Sequence, residues 1–256
     1  MVTKIQSAVL KAGEHLLKGF NSVKSVSYKG KVDLVTQYDV EVEKILLNEL
    51  SFMAGEYGFV AEETATEKTD KNKAVYIDPI DGTTNFVHGF PFCCISLGVY
   101  EDGEGVYGIV YNPVMNELYT AVKGEGAFLN GERIFGSEKT NIEECLVATG
   151  FPYSIVEQQP EEILRVLQRV LQSTRGIRRA GSAALDLCYS ARGIFDIYYE
   201  FNLNPWDIAA GAIVAREAGL MVCGKEIDKP HDLYERFIVS SNPHLCKNVN
   251  KLIFNY

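Results

Sequence analysis

Two aspartates three residues apart are the first side chains in this sequence that could bind a metal ion. Asp78 and Asp81 lie in the segment YIDPIDGTTNF, at the end of the β-rich run AVYID. Pro79 has a fixed φ angle and biases Asp78 toward an extended conformation. The spacing therefore allows both carboxylates to face one hard cation.

The residues that directly follow are suited to bind an anion. Gly82 lets the backbone approach a ligand closely, and Thr83 and Thr84 offer hydroxyl and N–H groups at the start of a helix. The segment therefore combines carboxylates that could bind a cation with N–H groups that could bind phosphate. This combination favours Mg²⁺, which is usually coordinated by protein oxygen atoms and substrate phosphate together. Zinc would call for histidine or cysteine, and this segment contains neither.

Two more acidic segments lie near predicted junctions between elements: FVAEET, with Glu62 and Glu63, and NPWDIAAG, with Asp207. Each acidic segment has a structural explanation by itself. Adjacent glutamates often form a solvated surface, an aspartate after a strand is often a turn residue, and Asp207 suits the first turn of its helix. These explanations weaken when the three segments are taken together, because they supply one consistent set of oxygen ligands.

Composition excludes several functional classes. The 256 residues include 34 acidic and 25 basic side chains, a formal charge of -9, which argues against a broad nucleic-acid surface. A hydrophobic share of 46% and a charged share of 23% are typical of a globular protein rather than a disordered one. The six cysteines show no CxxC spacing and no pairing with the four histidines, which indicates reduced thiols.

The sequence contains no recognisable targeting signal or membrane-spanning segment. Charged residues interrupt the N-terminal segment MVTKIQSAVLKAGEHLLKGF every few positions, unlike the apolar run of a signal peptide. The longest uncharged stretch, residues 82–100, is too polar and too interrupted for a membrane span. We therefore expect a cytoplasmic protein with no membrane association.

The elements that must position these residues can be predicted from hydrophobic periodicity. Apolar residues at helical spacing predict two amphipathic helices, at residues 5–20 and 42–53. From Val75 onward, short β-rich runs separated by Gly and Asn turns predict an antiparallel meander. After Cys145, strands and helices alternate. We expect an α+β half (residues 1–140) and an α/β half (residues 141–256) that pack tightly and can be counted as one domain.

The order of these motifs resembles one known family. DPIDGTTNF at residues 78–86 and WDIAAG at residues 206–211 are similar to the two signatures of the inositol monophosphatase family. KVDLVTQYD (31–39), FVAEE (59–63), GSAA (181–184) and YYE (198–200) are similar to further segments of that family. The resemblance implies a layered αβαβα sandwich, α+β and α/β in class, that hydrolyses a small phosphate monoester with a magnesium-activated water.

The resemblance also implies a role for each matching residue. Two or three Mg²⁺ ions per active site would be held by Glu62, Asp78, the Ile80 carbonyl, Asp81 and Asp207. The catalytic set would be Glu62 together with Thr83 and Asp39, which orient the attacking water. The substrate would be bound by Asp81, Gly82, Thr83, Gly181, Ala183, Glu200 and Asp207. Asp39 could instead, or in addition, cap the second helix.

Several assignments stay open at the level of sequence. Glu200 could form a salt bridge at the rim of the site rather than read substrate hydroxyls. Lys29 and Lys31 could steer an anionic substrate or serve only solubility. Arg178 and Arg179 could bind a second phosphate, although structural salt bridges are the favoured interpretation. Three departures from the family pattern, at Ala61, Leu220 and Asn204, leave the phosphatase chemistry intact and put only the substrate preference in doubt.

The leading functional hypothesis is a magnesium-dependent, lithium-sensitive inositol 1-phosphate phosphatase that forms a homodimer or homotetramer. The first alternative is a dual enzyme that also hydrolyses fructose 1,6-bisphosphate, and histidinol phosphate and phosphoadenosine phosphate are more remote substrates. An alternative from another class is a binding partner in transcription or RNA processing. The complete set of clustered carboxylates argues against a purely structural role.

Overall fold

The computed structural model describes residues 1–22, 26–28, 34–64, 69, 72–151, 160–227, 229 and 231–254. Lys29 and Lys31 lie outside the described residues. The helices are α1 (Val2–Phe20), α2 (Gln37–Glu49), α3 (Thr83–His88), α4 (Pro160–Ser173), α5 (Ala183–Ala191), α6 (Pro205–Glu217) and α7 (Pro243–Phe254). The strands are β1 (Val26–Tyr28), β2 (Leu34–Thr36), β3 (Gly58–Ala61), β4 (Lys73–Asp81), β5 (Cys94–Glu101), β6 (Glu104–Asn112), β7 (Glu117–Val122), β8 (Gly126–Leu129), β9 (Glu132–Ile134), β10 (Leu146–Thr149), β11 (Gly176–Arg178), β12 (Ile197–Phe201), β13 (Met221–Cys223) and β14 (Phe237–Ser241).

The first large sheet contains the predicted meander. Its strand order is β3-β4-β5-β6-β7-β8-β9, and every neighbouring pair is antiparallel except β3 and β4. Tight turns connect the strands, with left-handed residues such as Asp102, Gly103, Asn130 and Gly131 at their tips. These residue types adopt positive φ angles at little cost, so consecutive strands return beside one another.

The second sheet is mixed, and its strand order is β11-β10-β12-β14-β13. Strand β10 is parallel to both β11 and β12, whereas β14 is antiparallel to β12 and β13. Parallel neighbours require a crossover, and helices α4 and α5 lie between the three parallel strands in the chain. The alternation of strands and helices after Cys145 is therefore confirmed.

Five layers follow from where the buried side chains meet. Residues of α1 and α2 pack on one face of the seven-stranded sheet, against Val75 and Ile77. Tyr76, between those two positions, contributes instead to the core on the opposite face, because successive strand residues alternate in direction. That second core joins the sheet to α5 and α6 and to Tyr198 of the five-stranded sheet. Helices α4 and α7 cover the outer face of the second sheet. The predicted αβαβα sandwich is confirmed.

Helix α6 lies unusually close to the seven-stranded sheet. A Cβ atom at Gly98 of β5 would come within 2.8 Å of the Ala209 side chain, and one at Gly108 of β6 would lie 2.7 Å from the Ala210 carbonyl. Small residues on both surfaces are therefore required for this contact. The close packing fixes the start of α6, with Asp207, relative to strand β4.

The division of the chain into two halves near residue 140 stays a prediction. Helices α5 and α6 pack between the two sheets, so residues of both halves contribute to one core. In the part of the chain that the structure describes, no helix combines the length and apolarity needed to cross a membrane.

Candidate active site

Strand β4 ends in an irregularity that separates its two aspartates. Asp78 pairs with Ser96 and Asp81 pairs with Cys94, and the register shifts between them. The Asp78 side chain accepts a hydrogen bond of 3.0 Å from the Ile80 N–H. Such bulges redirect side chains next to functional sites. Both aspartates are buried at this end of the sheet.

Asp81 is held by the start of helix α5. Its Oδ2 atom accepts hydrogen bonds from the Ser182 hydroxyl at 2.6 Å and from the Ala184 N–H at 2.7 Å. Ser182 is also the N-cap of α5, where it accepts from Leu185 N–H. Burial raises the pKa of Asp81 to about 6, although these hydrogen bonds favour the ionised form and act in the opposite direction. The second half of the chain thus fixes a carboxylate of the first.

Thr83 and Asp39 form a pair at the start of helix α3. The Thr83 hydroxyl lies 3.0 Å from both Asp39 Oδ1 and the Ile80 carbonyl oxygen. The other Asp39 oxygen accepts from the Thr36 N–H at 2.8 Å and the Thr36 hydroxyl at 2.6 Å. Thr36 is the N-cap of α2, and Asp39, at the third helical position, is its partner in a capping box. The capping role and the contact with Thr83 therefore coexist on different oxygens of one carboxylate.

Asp207 lies at the start of helix α6 and is also part of a capping box. Its Oδ2 atom accepts a hydrogen bond of 2.7 Å from the Asn204 N–H, and Pro205 is the first helical residue. Burial raises the pKa of Asp207 well above its usual range, and the charges of Glu62 and Asp81 act in the same direction. The helix cap thus places this carboxylate within electrostatic range of the other acidic groups.

Asp78 lies within electrostatic range of the other acidic segments. Burial raises its pKa well above the ordinary value, and the charges of Glu62, Asp81, Asp207 and Asp39 raise it further in that order. Glu62 itself is half-buried just beyond strand β3, the parallel neighbour of β4. Four carboxyl groups, from the acidic segments and from Asp39, therefore lie within electrostatic range of Asp78 at the end of β4.

This donor set suits magnesium. Several carboxylates that repel one another in a partly dehydrated site are stabilised by a divalent cation, and Mg²⁺ prefers such oxygen ligands. Among the described residues, no three acidic, histidine or cysteine side chains lie close enough together to hold a metal ion as they stand. Mg²⁺ usually keeps water and substrate oxygens among its ligands, so an open arrangement of carboxylates fits it.

Gly82 and Gly181 bring the start of α3 against the loop before α5. Gly82 has a φ angle of +91°, and a Cβ atom there would lie 2.9 Å from the Phe92 carbonyl oxygen and 3.2 Å from that of Gly181. The Asn85 side chain donates to the Phe92 and Ala180 carbonyl groups at 2.7 and 2.8 Å. Asn85 therefore links α3 to the predicted substrate loop. Sequence reasoning assigned it no role, although it stands inside the DPIDGTTNF motif.

Glu200 lies in strand β12, at the centre of the five-stranded sheet. The Tyr198 hydroxyl donates to Glu200 Oε2 at 2.8 Å, and the carboxylate lies directly over the Cα atom of Gly150. Burial raises the pKa of Glu200 to about 7 and the charge of Asp81 contributes, whereas Tyr198 and Arg179 act in the opposite direction. Within the described chain, Glu200 forms no ion pair, so the rim salt bridge is not supported.

The arginines ahead of the Gly181 loop are exposed. Arg178 donates to the Ile177 carbonyl at 3.0 Å, and Arg179 lies against Gly181. Arg175, Arg178 and Arg179 form no ion pair with any residue the structure describes. The favoured interpretation of Arg178 and Arg179 as structural salt bridges therefore finds no support there.

Nearly the whole chain is similar to one family of proteins. The model of the inositol monophosphatase family matches residues 1–253. Inositol monophosphatase 2 of Solanum lycopersicum is 40% identical over 245 residues, which cover 93% of this chain and 92% of that protein. A protein named Nus factor SuhB, from Vibrio cholerae, is 40% identical over 218 residues, or 84% of this chain and 81% of that one. The crystal structure of extragenic suppressor protein suhB from Bartonella henselae superposes with a TM-score of 0.90 at 38% identity, covering 98% of this chain and 97% of the other.

Proposed function

The chain belongs to the inositol monophosphatase family, a family of phosphoric monoester hydrolases, and from that membership we propose that it hydrolyses the phosphate ester of a small polyol, with inositol 1-phosphate preferred. The observation that carries this proposal is the position of Glu200 beside the carboxylates of the β4 end. The charge of Asp81 acts on Glu200 and that of Glu200 acts on Asp207, so a hydroxyl acceptor lies within electrostatic range of the predicted metal ligands.

Glu62, Asp78, Asp81, Asp207 and the Ile80 carbonyl would hold two or three Mg²⁺ ions. Bound Mg²⁺ would supply Lewis-acid stabilisation of charge on the phosphate and lower the pKa of a water molecule. The buried carboxylates contribute the negative charge that makes such binding favourable. Their hydrogen bonds from Ser182, Ala184 and Asn204 keep two of them oriented before any ion binds.

Thr83 and Asp39 would orient the attacking water. When the Thr83 hydroxyl donates to Asp39, its oxygen lone pairs are free to accept a hydrogen bond from water. The Thr36 donors hold the far oxygen of Asp39, so the near oxygen stays directed at Thr83. This arrangement would fix both the position of the water and the direction in which its proton points.

The two ends of the substrate would contact different parts of the site. The N–H groups of Gly82 and Thr83 would bind the phosphate at the start of α3. The leaving alcohol would lie against Glu200, the loop at Gly181 and Ala183, and the carboxylates of Asp81 and Asp207. A carboxylate that accepts from substrate hydroxyls discriminates against a ligand that lacks them, because a buried acceptor is then left without a partner.

Phosphate release from a panel of substrates tests the proposal. The panel is inositol 1-phosphate, fructose 1,6-bisphosphate, histidinol phosphate and phosphoadenosine phosphate, each with Mg²⁺ and with EDTA. We expect magnesium-dependent turnover with the highest kcat/KM for inositol 1-phosphate. Absence of turnover on every substrate would refute the enzymatic assignment for this chain, and Asp81→Asn serves as the inactive control.

A dual activity toward fructose 1,6-bisphosphate is the second candidate. It is favoured by the exposed guanidinium of Arg179, which lies at the Gly181 loop without an ion-pair partner among the described residues. A second substrate phosphate would supply that partner. If this candidate is correct, Arg179→Gln lowers kcat/KM for the bisphosphate more than for inositol 1-phosphate.

The relative named Nus factor favours a third candidate, a binding partner in RNA processing. It predicts that Asp81→Asn abolishes hydrolysis while partner binding is retained. Homodimer or homotetramer formation, lithium inhibition and a cytoplasmic location stay predictions from the family resemblance, and sedimentation and inhibition assays can test the first two.

A further inference from the structure

Asp186, in the first turns of helix α5, is a buried acidic residue that the proposed mechanism does not use. Only 1% of its surface is exposed. Neither of its carboxylate oxygens has a hydrogen-bond partner among the described residues. An ionised carboxylate enclosed without a donor is strongly unfavourable, and native proteins rarely contain such groups without a functional reason.

Asp186 lies within electrostatic range of two residues predicted to contact the substrate. The charged groups that act on it are Glu200 first, then Asp81, both repulsive, and then the attractive Arg179. Helix α5 packs against strand β12, which carries Glu200. Ser182, which caps the same helix, holds Asp81. Asp186 is therefore the third carboxyl group of a cluster that already contains two predicted substrate contacts.

A proton on Asp186 resolves its missing partners. Burial raises the pKa of Asp186 well above its usual range, and the neighbouring carboxylates raise it further. A neutral carboxyl group is a hydrogen-bond donor as well as an acceptor. One oxygen of Asp81 already accepts hydrogen bonds from Ser182, Ala184 and the Cys94 thiol, whereas the described donor to Glu200 is the single hydroxyl of Tyr198. Glu200 is therefore the acceptor best suited to Asp186.

We propose that Asp186 is a positioning residue that carries a proton and donates a hydrogen bond to Glu200, directly or through one buried water. This bond would hold the Glu200 carboxylate ionised and correctly oriented toward the hydroxyls of the leaving alcohol. The inference rests on the proposed polyol phosphatase activity. It adds a residue that contacts no substrate and acts on selectivity through Glu200 alone.

Two substrates separate this role from a merely structural one. Inositol 1-phosphate presents hydroxyls to Glu200, whereas phenyl phosphate presents none. The measured quantity is the selectivity ratio, kcat/KM for inositol 1-phosphate divided by kcat/KM for phenyl phosphate. We expect Asp186→Leu to lower this ratio about 10-fold, mainly through a higher KM for inositol 1-phosphate, because an oriented acceptor is lost.

Matched variants test the mechanism of the effect. Asp186→Asn keeps a donor of similar size and should stay within about 3-fold of the wild-type ratio. In a Glu200→Gln background, Asp186→Leu should change the ratio less than about 2-fold, since residues that act through one another are not additive. Tyr107→Phe is the control for the loss of a buried polar atom far from Glu200. It removes a hydroxyl that has no described partner and lies on the α1 and α2 side of the sheet.

Each outcome decides the inference. An unchanged ratio in Asp186→Leu, an equal effect of Asn and Leu, or a full effect in the Glu200→Gln background would overturn it. If the Leu variant does not fold, Asp186→Ala replaces it in the same comparisons. Failure of the wild-type protein to hydrolyse inositol 1-phosphate would refute the proposed function instead, so the two failures are distinguishable.

Discussion

Gly150 directly follows strand β10, and the Glu200 carboxylate occupies the space that a side chain at position 150 would fill. An ideal Cβ atom at Gly150 would overlap all three terminal atoms of Glu200, at separations far below van der Waals contact. Carbon and oxygen atoms pack at about 3.5 Å. In a Gly150→Ala variant the carboxylate would therefore have to move by roughly 1.5 Å, or the strand would have to shift.

The expected effect is a loss of selectivity for the polyol. A misplacement of about 1 Å can cost about 100-fold in rate, so kcat/KM for inositol 1-phosphate should fall between about 10-fold and 100-fold. Displacement of Glu200 also stretches its 2.8 Å hydrogen bond from Tyr198. Overpacking of this kind should lower the free energy of unfolding by about 1 to 3 kcal/mol.

Steady-state kinetics on inositol 1-phosphate and phenyl phosphate, with urea unfolding on the same samples, measure both effects. Gly55→Ala is the matched control, because a Cβ atom there meets nothing within 4 Å. A Gly150→Ala protein that is destabilised but keeps the wild-type selectivity ratio would refute the reasoning, since Glu200 would then have moved without consequence for the substrate.

Three further predictions concern the same site. Thr83→Val removes the donor to Asp39 and should lower kcat for phosphate release about 100-fold, whereas Thr83→Ser should retain most of the activity. Ser182→Ala removes both the cap of α5 and a 2.6 Å hydrogen bond to Asp81, and urea unfolding should show a loss of about 1 to 3 kcal/mol. The pKa of Glu200 is raised from 4.5 to about 7 in the folded protein, so its protonation contributes stability that is complete below about pH 4.5 and lost as the pH rises through about 7. Unfolding in EDTA between pH 4.5 and 8 should therefore show a smaller loss in Glu200→Gln than in the wild type, and an identical loss would contradict the assignment.

Much of the fold could be predicted because local patterns determined it. The helical periodicity of α1 and the turn residues between β5 and β9 act within a few positions of the elements they define. The acidic groups of the site also carried local signals. Asp78 and Asp81 follow a strand, and Asp207 begins a helix, so motif and element could be assigned together.

The contacts that hold the site together had no such local signal. Ser182 and Asp81 are 101 positions apart, and the sequence around neither residue predicts a contact with the other. The space above Gly150 depends on the pairing of β10 with β12, and the isolation of Asp186 depends on the packing around α5. Asn85 differs, because it stands within the recognised motif, and its amide could have been considered as a link between loops.

The backbone contact between helix α6 and the seven-stranded sheet has a consequence for how such a protein diverges. Two glycines of the sheet, Gly98 and Gly108, meet the helix at Ala209 and Ala210 with no layer of large side chains between them. In most interfaces between a helix and a sheet, substitution of larger or smaller core side chains changes the distance between the two elements. Here almost no large side chains lie between them, so such substitutions have little effect on the distance. The distance from Asp207 to the end of β4 is therefore set by main chains, and it should stay constant in descendants whose substrate pockets have changed completely.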